Sequence, residues 1–240
     1  MQRYYSPNLI GDETVVLVDE EAHHAAHVMR VKPGNRLLLF DGDTHEAEAT
    51  VESVTRKEVV CRIDSVAEVD REAKRLIVVA VALPKGDRAR SVIEKAVELG
   101  AWGLIPVVCK HSVVVPGEGL AKRLQRYVID ASKQCGRNRL MRLGSSIRFS
   151  DLVTTNVSDL FPGSDLDSAT SWTRMVAHPS GATMPTDDSR PLIVAVGPEG
   201  GFDDQEIQQA IEANWDCVQL GPRILRVETA VGAILTINAL

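Results

Sequence analysis

Four short apolar runs punctuate the last two-thirds of this 240-residue chain: RLIVVAVAL (75–83), WGLIPVVC (102–109), RMVAH (174–178) and PLIVAV (191–196). Each is rich in branched residues and bounded by turn-forming or charged residues, the pattern of a buried strand. Helical periods stand between them. GDRARSVIEKAVELG places Val92, Ile93, Ala96 and Val97 on one face and ends on Gly100 as a stop signal. GLAKRLQRYVIDASKQ, the stretch after Asp203 and the residues from about Glu228 to Leu240 read as further helices, and DCVQL as one more short strand. Strands that alternate with helices need crossover connections, so the expected fold is α/β, with a mostly parallel sheet covered on both faces.

The first third has a different rhythm. After a short helix-like piece, DEEAHHAAHVMR, come KPGNRLLLFDGD, HEAEATVESV and EVVCRIDSV, short strand candidates separated by turns such as Pro33-Gly34 and Asp41-Gly42. This spacing predicts a compact β-barrel. His23 and His27 share a helix face, but no H-E-x-x-H frame and no third ligand accompany them, so no metal is expected. The charged stretch Asp64 to Lys74 is expected to be the linker, which divides the chain into residues 1–72 and 73–240. Between Phe149 and Thr173 there is no Lys or Arg, and Ser, Thr, Asp, Pro and Gly are frequent, so mainly irregular surface is expected there.

The segment VGPEGGFDDQEI (196–207) sets Gly197, Pro198, Gly200 and Gly201 between a strand and a helix start. Pro198 stiffens the loop and its glycines let another group approach the backbone. Asp203 with Glu206 three residues on forms a variant of the capping box. Strand, tight loop, helix is where open α/β sheets place ligands. Gly201 is followed by Phe202 and Asp203 rather than Lys and Ser or Thr, which excludes a Walker loop. GPEGGF lacks the G-x-G-x-x-G spacing, and an acidic helix start repels a pyrophosphate, which disfavours a dinucleotide site and an oxidoreductase. A second Gly-Pro pair, Gly221-Pro222, follows the last strand, and the two loops are expected to close one pocket. The final helix has apolar or small residues on nearly every face, so it should be buried in the protein or in a subunit interface.

Hydrophobic residues make up 44% and charged residues 25% of the chain, with no apolar run long enough for a membrane span. The start MQRYYSPNLIGDE lacks the pattern of a secretory signal, so a cytoplasmic location is expected. Four cysteines far apart, without a C-x-x-C pair, argue for reduced thiols. The net charge of -6 conceals a basic block. From Ala121 to Arg148, eight basic residues (Lys122, Arg123, Arg126, Lys133, Arg137, Arg139, Arg142 and Arg148) face one acid, Asp130. QCGRNRLMR within it has the composition to grip phosphates with forked donors, with a solvated face as the alternative.

LPKGDR and EKAVELG near residues 83–100, QCGRNR at 134–139, VGPEGGF at 196–202 and LGPRILRVETA at 220–230, in this order, resemble the RsmE family; RYY at 3–5 and HVMRVKPGNRLLLFDG fit its small N-terminal domain. The resemblance spans nearly the whole chain. It implies a PUA-like β-barrel followed by a SPOUT α/β domain with a deep trefoil knot, which pattern reasoning alone would not propose. It implies methylation of the N3 atom of a uridine in bacterial 16S ribosomal RNA by S-adenosylmethionine, without metal, by a homodimer. It assigns the cofactor to Leu83, Gly197, Glu199, Gly200, Leu220, Gly221, Ile224, Leu225 and Arg226, mainly through backbone groups. Arg139 and Arg226 are candidates to stabilise the uracil anion, with Glu199 a third catalytic candidate. Arg3, Tyr5, Arg30, Arg137 and Arg139 are candidates to contact RNA, with Tyr4 beside them. Two departures from the family pattern are Cys135, in place of a small polar residue, and Val227, where the family has Thr. The proton acceptor at N3 is not legible. Alternatives on the same fold are ribose 2′-O-methylation and a non-catalytic RNA-binding assembly factor.

Overall fold

The computed structural model describes residues 1–114, 117, 119–185 and 189–239. Internal contacts divide them into two compact units, Met1–Glu72 with Ile129–Leu140, and Ala73–Val128 with Met141–Leu240. Residues 129–140, expected in the second domain, therefore pack with the first.

The first unit contains β1 (Gln2–Tyr5), β2 (Thr14–Leu17), α1 (Asp19–His23), β3 (Arg36–Phe40), β4 (His45–Val54) and β5 (Val59–Glu68). They form a five-stranded sheet in the order β1-β3-β4-β5-β2, with β1 parallel to β3 and the other pairs antiparallel. Alternation puts one face inward: Leu37 lies opposite Ala49 and Leu39 opposite Ala47, and all four are buried with Tyr4, Leu17 and Val59. Asp64 to Glu68 belong to β5, so the expected linker is shorter than its charge suggested. Exposed strand residues carry charge as readily as a linker does. α1 continues into a π-turn at His24–Val28, where Met29 donates to the carbonyl of His24 five residues back.

The second unit contains, in chain order, β6 (Ile77–Val81), α2 (Asp87–Glu98), β7 (Gly103–Val108), α3 (Leu120–Cys135, whose last residues join the first unit), β8 (Arg142–Leu143), β9 (Ile147–Arg148), α4 (Phe149–Leu152), β10 (Thr173–Thr183), β11 (Leu192–Val196), α5 (Asp204–Glu212), β12 (Asp216–Gln219) and α6 (Val227–Ala239). Leu240, expected to end the last helix, lies outside the described residues. The strand order is β12-β10-β11-β6-β7-β8, with β9 beside β7, and every pairing is parallel. All five residues of β6 and all five of β11 are buried, as a sheet covered on both faces requires. One layer holds α2 and α6, which pack on each other, with α6 also against β6 and β11. Ala82, Trp102, Ile105, Phe161 and Trp215 share a second core cluster. Here the structure corrects the expectation of irregular surface at 149–173. Phe149, Leu152, Val153, Val157, Leu160 and Phe161 are all buried, and the Phe161 ring meets Trp102 edge-on at 5.0 Å. Their i, i+3 and i+4 spacing was hidden among small polar residues that cover the outside.

Candidate active site

The carboxyl ends of parallel strands β6, β11 and β12 carry the loops picked out by sequence. The turn after β6 is tied to its neighbour by the Ala82 amide, which donates to the Val196 carbonyl at 3.0 Å, and leaves Leu83 buried. The loop after β11 is closed by the Gly201 amide donating to the Pro198 carbonyl at 2.9 Å. Gly201 (φ 74°) and Gly221 (φ 120°), one in each Gly-Pro loop, sit in the left-handed region that a side chain disfavours. Gly200 and Gly221 are exposed, so both loops present bare backbone at the strand ends.

Where that loop becomes α5, the capping box foreseen from Asp203 and Glu206 is complete. The Asp203 carboxylate accepts from the Gln205 amide at 3.0 Å, and Glu206 accepts from the Asp203 amide at 2.9 Å. The segment after β7 latches onto this cap. Lys110 donates through Nζ to Asp203 at 2.7 Å and through its amide to Glu206 at 2.9 Å. The Lys110 hydrogen bond holds the Asp203 carboxyl below its usual range. His111 places Nδ1 3.3 Å from the Gly201 carbonyl, and a Cβ at Gly200 would stand 3.0 Å from the His111 Cβ.

A residue that sequence reasoning did not single out joins the first glycine loop to the start of α6. Arg88, in the first turn of α2, donates to Glu199 of the first glycine loop at 2.7 Å and to Glu228 of α6 at 2.9 Å. Its hydrogen bond holds the Glu228 carboxyl below the ordinary carboxylate range, and the same bond pushes Arg88 upward. The signal was its place in the LPKGDR motif, where a lone arginine has no pattern of its own. Of the remaining cofactor candidates, Leu220 and Leu225 are half-buried and Ile224 is 89% exposed, an apolar side chain presented to solvent. Arg226 is exposed, and its carbonyl starts α6 by accepting from the amides of Thr229 and Ala230 at 2.9 and 2.8 Å.

The RNA candidates all lie in the first unit, and most are already engaged. Arg3 is paired with Glu46 at 3.2 Å, bonded to Asn138 at 2.6 Å and set 4.8 Å from the Phe40 ring centre. Arg137 is 5% exposed and gripped by Glu72 through two hydrogen bonds, one of them Nε to Oε1 at 2.8 Å. Arg139 donates to Asp43 at 3.0 Å. Tyr5 is half-buried against Phe40, and Tyr4 is a core residue. Arg30 is exposed at φ 52°. The basic block thus spends Arg137 and Arg139 on carboxylates rather than presenting them free. Among the described residues no group of three or more His, Cys, Asp or Glu is arranged to hold a metal, and no helix is long and apolar enough to cross a membrane.

Comparison with known proteins bears on the whole of this architecture. Residues 71–239 match the family model for an RNA methyltransferase domain, and residues 17–64 the model for an RNA methyltransferase PUA domain. The chain is 29% identical to ribosomal RNA small subunit methyltransferase E of Bacillus subtilis over 96% of its own length and 93% of the relative's. A Legionella pneumophila structure described as a putative methyltransferase with bound S-adenosylmethionine superposes with a TM-score of 0.85 at 31% identity, covering 98% of this chain and 95% of that one. Ribosomal RNA small subunit methyltransferase E from Neisseria gonorrhoeae, solved with S-adenosylmethionine, superposes at 0.84 with 30% identity and the same coverage. With both domains matched in order and solved relatives aligned along nearly their full length, the chain belongs to the RsmE family of RNA methyltransferases.

Proposed function

We propose that this protein methylates the N3 atom of a uridine in bacterial 16S ribosomal RNA, with S-adenosylmethionine as methyl donor. The observation that carries this reading is the pair of glycine loops at the ends of β11 and β12, the first tied through Glu199 and Arg88 to Glu228 at the start of α6, the helix that follows the second. The residues fit the cofactor's chemistry. Exposed backbone at Gly200 and Gly221 suits a nucleoside held by amides and carbonyls. The acids around the loops, Glu199, Asp203, Asp204, Glu206 and Glu228, favour a cation over a phosphate. When bound, S-adenosylmethionine supplies a methyl group on a positively charged sulfur.

The chain's own part is positioning and charge. Leu83, Gly197, Gly200, Leu220, Gly221, Ile224 and Leu225 are the residues assigned to hold the cofactor, with Glu199 and Arg226 beside them. Uracil N3 becomes nucleophilic as it loses its proton, and Arg226 is suited to stabilise the resulting anion. Its guanidinium is exposed and makes no hydrogen bond among the described residues. The Arg88 hydrogen bond holds the Glu228 carboxyl below the ordinary carboxylate range, which lowers its strength as a base. Arg139 reaches a substrate only by exchanging Asp43 for it, and Arg3 and Arg137 act by shaping the first unit that carries Tyr5 and Arg30.

The same reading includes a cytoplasmic homodimer acting on the small ribosomal subunit, with α6 at the subunit contact, where Ile237 stays exposed. It also includes the trefoil knot, supported by the return of α6 from edge strand β12 to α2 and β6. The test is calorimetry with S-adenosylmethionine, followed by mass mapping of 16S RNA from cells with and without the gene. A methyl mark on a ribose, or no difference between the two RNAs, would overturn the assignment.

A further inference from the structure

The second unit holds a hollow of about 200 Å³ between the turn after β6 and the start of α3, lined by Leu83, Lys85, Asp87, Val114, Arg123 and Tyr127 among others. Two of its cations stand apart from the paired ones nearby. Within the basic block, Lys133 is paired with Glu21, Arg137 with Glu72 and Arg139 with Asp43, while Arg142 lies 4.5 Å from the Trp102 ring centre. Lys85 and Arg123 are exposed and make no ion pair or hydrogen bond through their side chains among the described residues. Two cations that make no ion pair among the described residues line one hollow against a single acid, Asp87, which leaves the hollow with a net positive lining in a chain of net charge -6. Tyr127 stands four residues after Arg123, one helical turn on, and Arg90 sits 5.5 Å from its ring centre. The ring adds an aromatic wall that can meet a base or a ribose.

We infer that this hollow binds one nucleotide of the RNA strand, its phosphodiester between Lys85 and Arg123 and its sugar or base against Tyr127. The inference rests on the methyltransferase reading and adds to it a substrate subsite in the catalytic unit. At about 200 Å³ the hollow is smaller than the roughly 300–1,000 Å³ of pockets that enclose a whole drug-sized ligand, which suits one segment of a strand that stays partly in solvent. Charge selects among anions. Asp87 on the rim repels a doubly charged phosphate, yet tolerates a singly charged phosphodiester and accepts a hydrogen bond from a ribose 2′-hydroxyl. Position also agrees, since Leu83 is shared with the expected cofactor set at the carboxyl end of β6.

The probe is a labelled oligouridylate of about ten residues, titrated from about 50 to 200 mM salt beside its deoxy counterpart. Lys85→Glu and Arg123→Glu should each bind it about tenfold more weakly and flatten the log-log salt slope by about 0.7. Lys122→Glu, on the same helix outside the hollow, should keep wild-type affinity and slope, and all three should keep wild-type affinity for S-adenosylmethionine by calorimetry. The deoxy strand should bind the wild type less tightly. Wild-type behaviour of both cavity variants overturns the inference, as does an equal loss in Lys122→Glu. A parallel loss of cofactor affinity assigns the hollow to the cofactor instead, and equal binding of the two strands removes the ribose contact. If the wild type binds no S-adenosylmethionine, the functional reading fails, while the oligouridylate titrations still decide the hollow.

Discussion

At the scale of single residues, Arg88 connects parts of the chain that are far apart in sequence. One guanidinium satisfies two carboxylates, so its loss leaves Glu199 of the first glycine loop and Glu228 at the start of α6 without their shared cation. Arg88→Ala should weaken S-adenosylmethionine binding about threefold to tenfold and speed amide exchange at 197–203 and 220–228 in the cofactor-free protein, with Arg88→Lys in between. Calorimetry and exchange mass spectrometry check this, and unchanged exchange in Arg88→Ala would show that the loops are held by other means. The cysteines give a second prediction. Cys61 and Cys109 are buried, and burial pushes their thiols up to about 11 and about 12, whereas Cys135 is exposed. A thiolate-directed reagent at neutral pH should label Cys135 first and reach Cys61 and Cys109 only on unfolding, as peptide mapping would reveal.

Among the elements, the segment after α3 carries the most consequence. Its first-unit contacts run through Arg137 to Glu72, Asn138 to the Val69 carbonyl at 3.0 Å, and the Leu140 amide to the Gly42 carbonyl at 2.9 Å. An arginine that looked made for phosphate is instead one half of a nearly buried ion pair. Arg137→Ala strands Glu72, and the cost should fall near the low end of a broken buried pair, about 3 kcal/mol, because Glu72 keeps some access to water. Urea unfolding would measure it, and a loss below about 0.5 kcal/mol, the scale of an ordinary surface change, would contradict the structural role. The long strand β10 depends on a glycine in the same way. Its register with β12 shifts between Ala177 and Ala182, and a Cβ at Gly181 would lie 2.5 Å from the backbone of Cys217 and Val218. Since backbone cannot yield as a side-chain tip can, Gly181→Ala should cost about 2 kcal/mol and lower the melting temperature.

For the molecule as a whole, pH response is set by which groups each core withdraws from water. In the first unit, burial raises the Tyr4 hydroxyl to about 12 from 10.0 and the Cys61 thiol to about 11 from 9.0. Their contribution to stability is intact below the unfolded values and is lost as pH rises through the folded ones. The first unit should therefore unfold between about pH 9 and 12, and in a Tyr5→Phe, Tyr127→Phe variant the tyrosinate absorbance of Tyr4 should appear together with loss of circular dichroism. Absorbance that rises before the dichroism changes would show that Tyr4 ionises in place. Much of this architecture was legible in the residues. The apolar runs and helical periods after residue 75 marked the alternating elements, because period and branching register burial directly. The glycine loops were legible because few residues can replace Gly201 or Gly221, and the order of five motifs pointed to the family. Less was readable where meaning depends on a distant partner. The edge strands β1 and β2 are too short to show a period, and the apolar core residues between Phe149 and Phe161 are masked by polar neighbours. Arginine has one chemistry for carboxylate and phosphate alike, so the chain could announce a basic block but not its use. Only the fold, by bringing Glu72 to Arg137, Asp43 to Arg139, and Glu199 with Glu228 to Arg88, decided which cations are spent inside the protein. The same folding left Lys85 and Arg123 facing solvent, because charge pairing is set by distances in space that spacing along the chain does not encode.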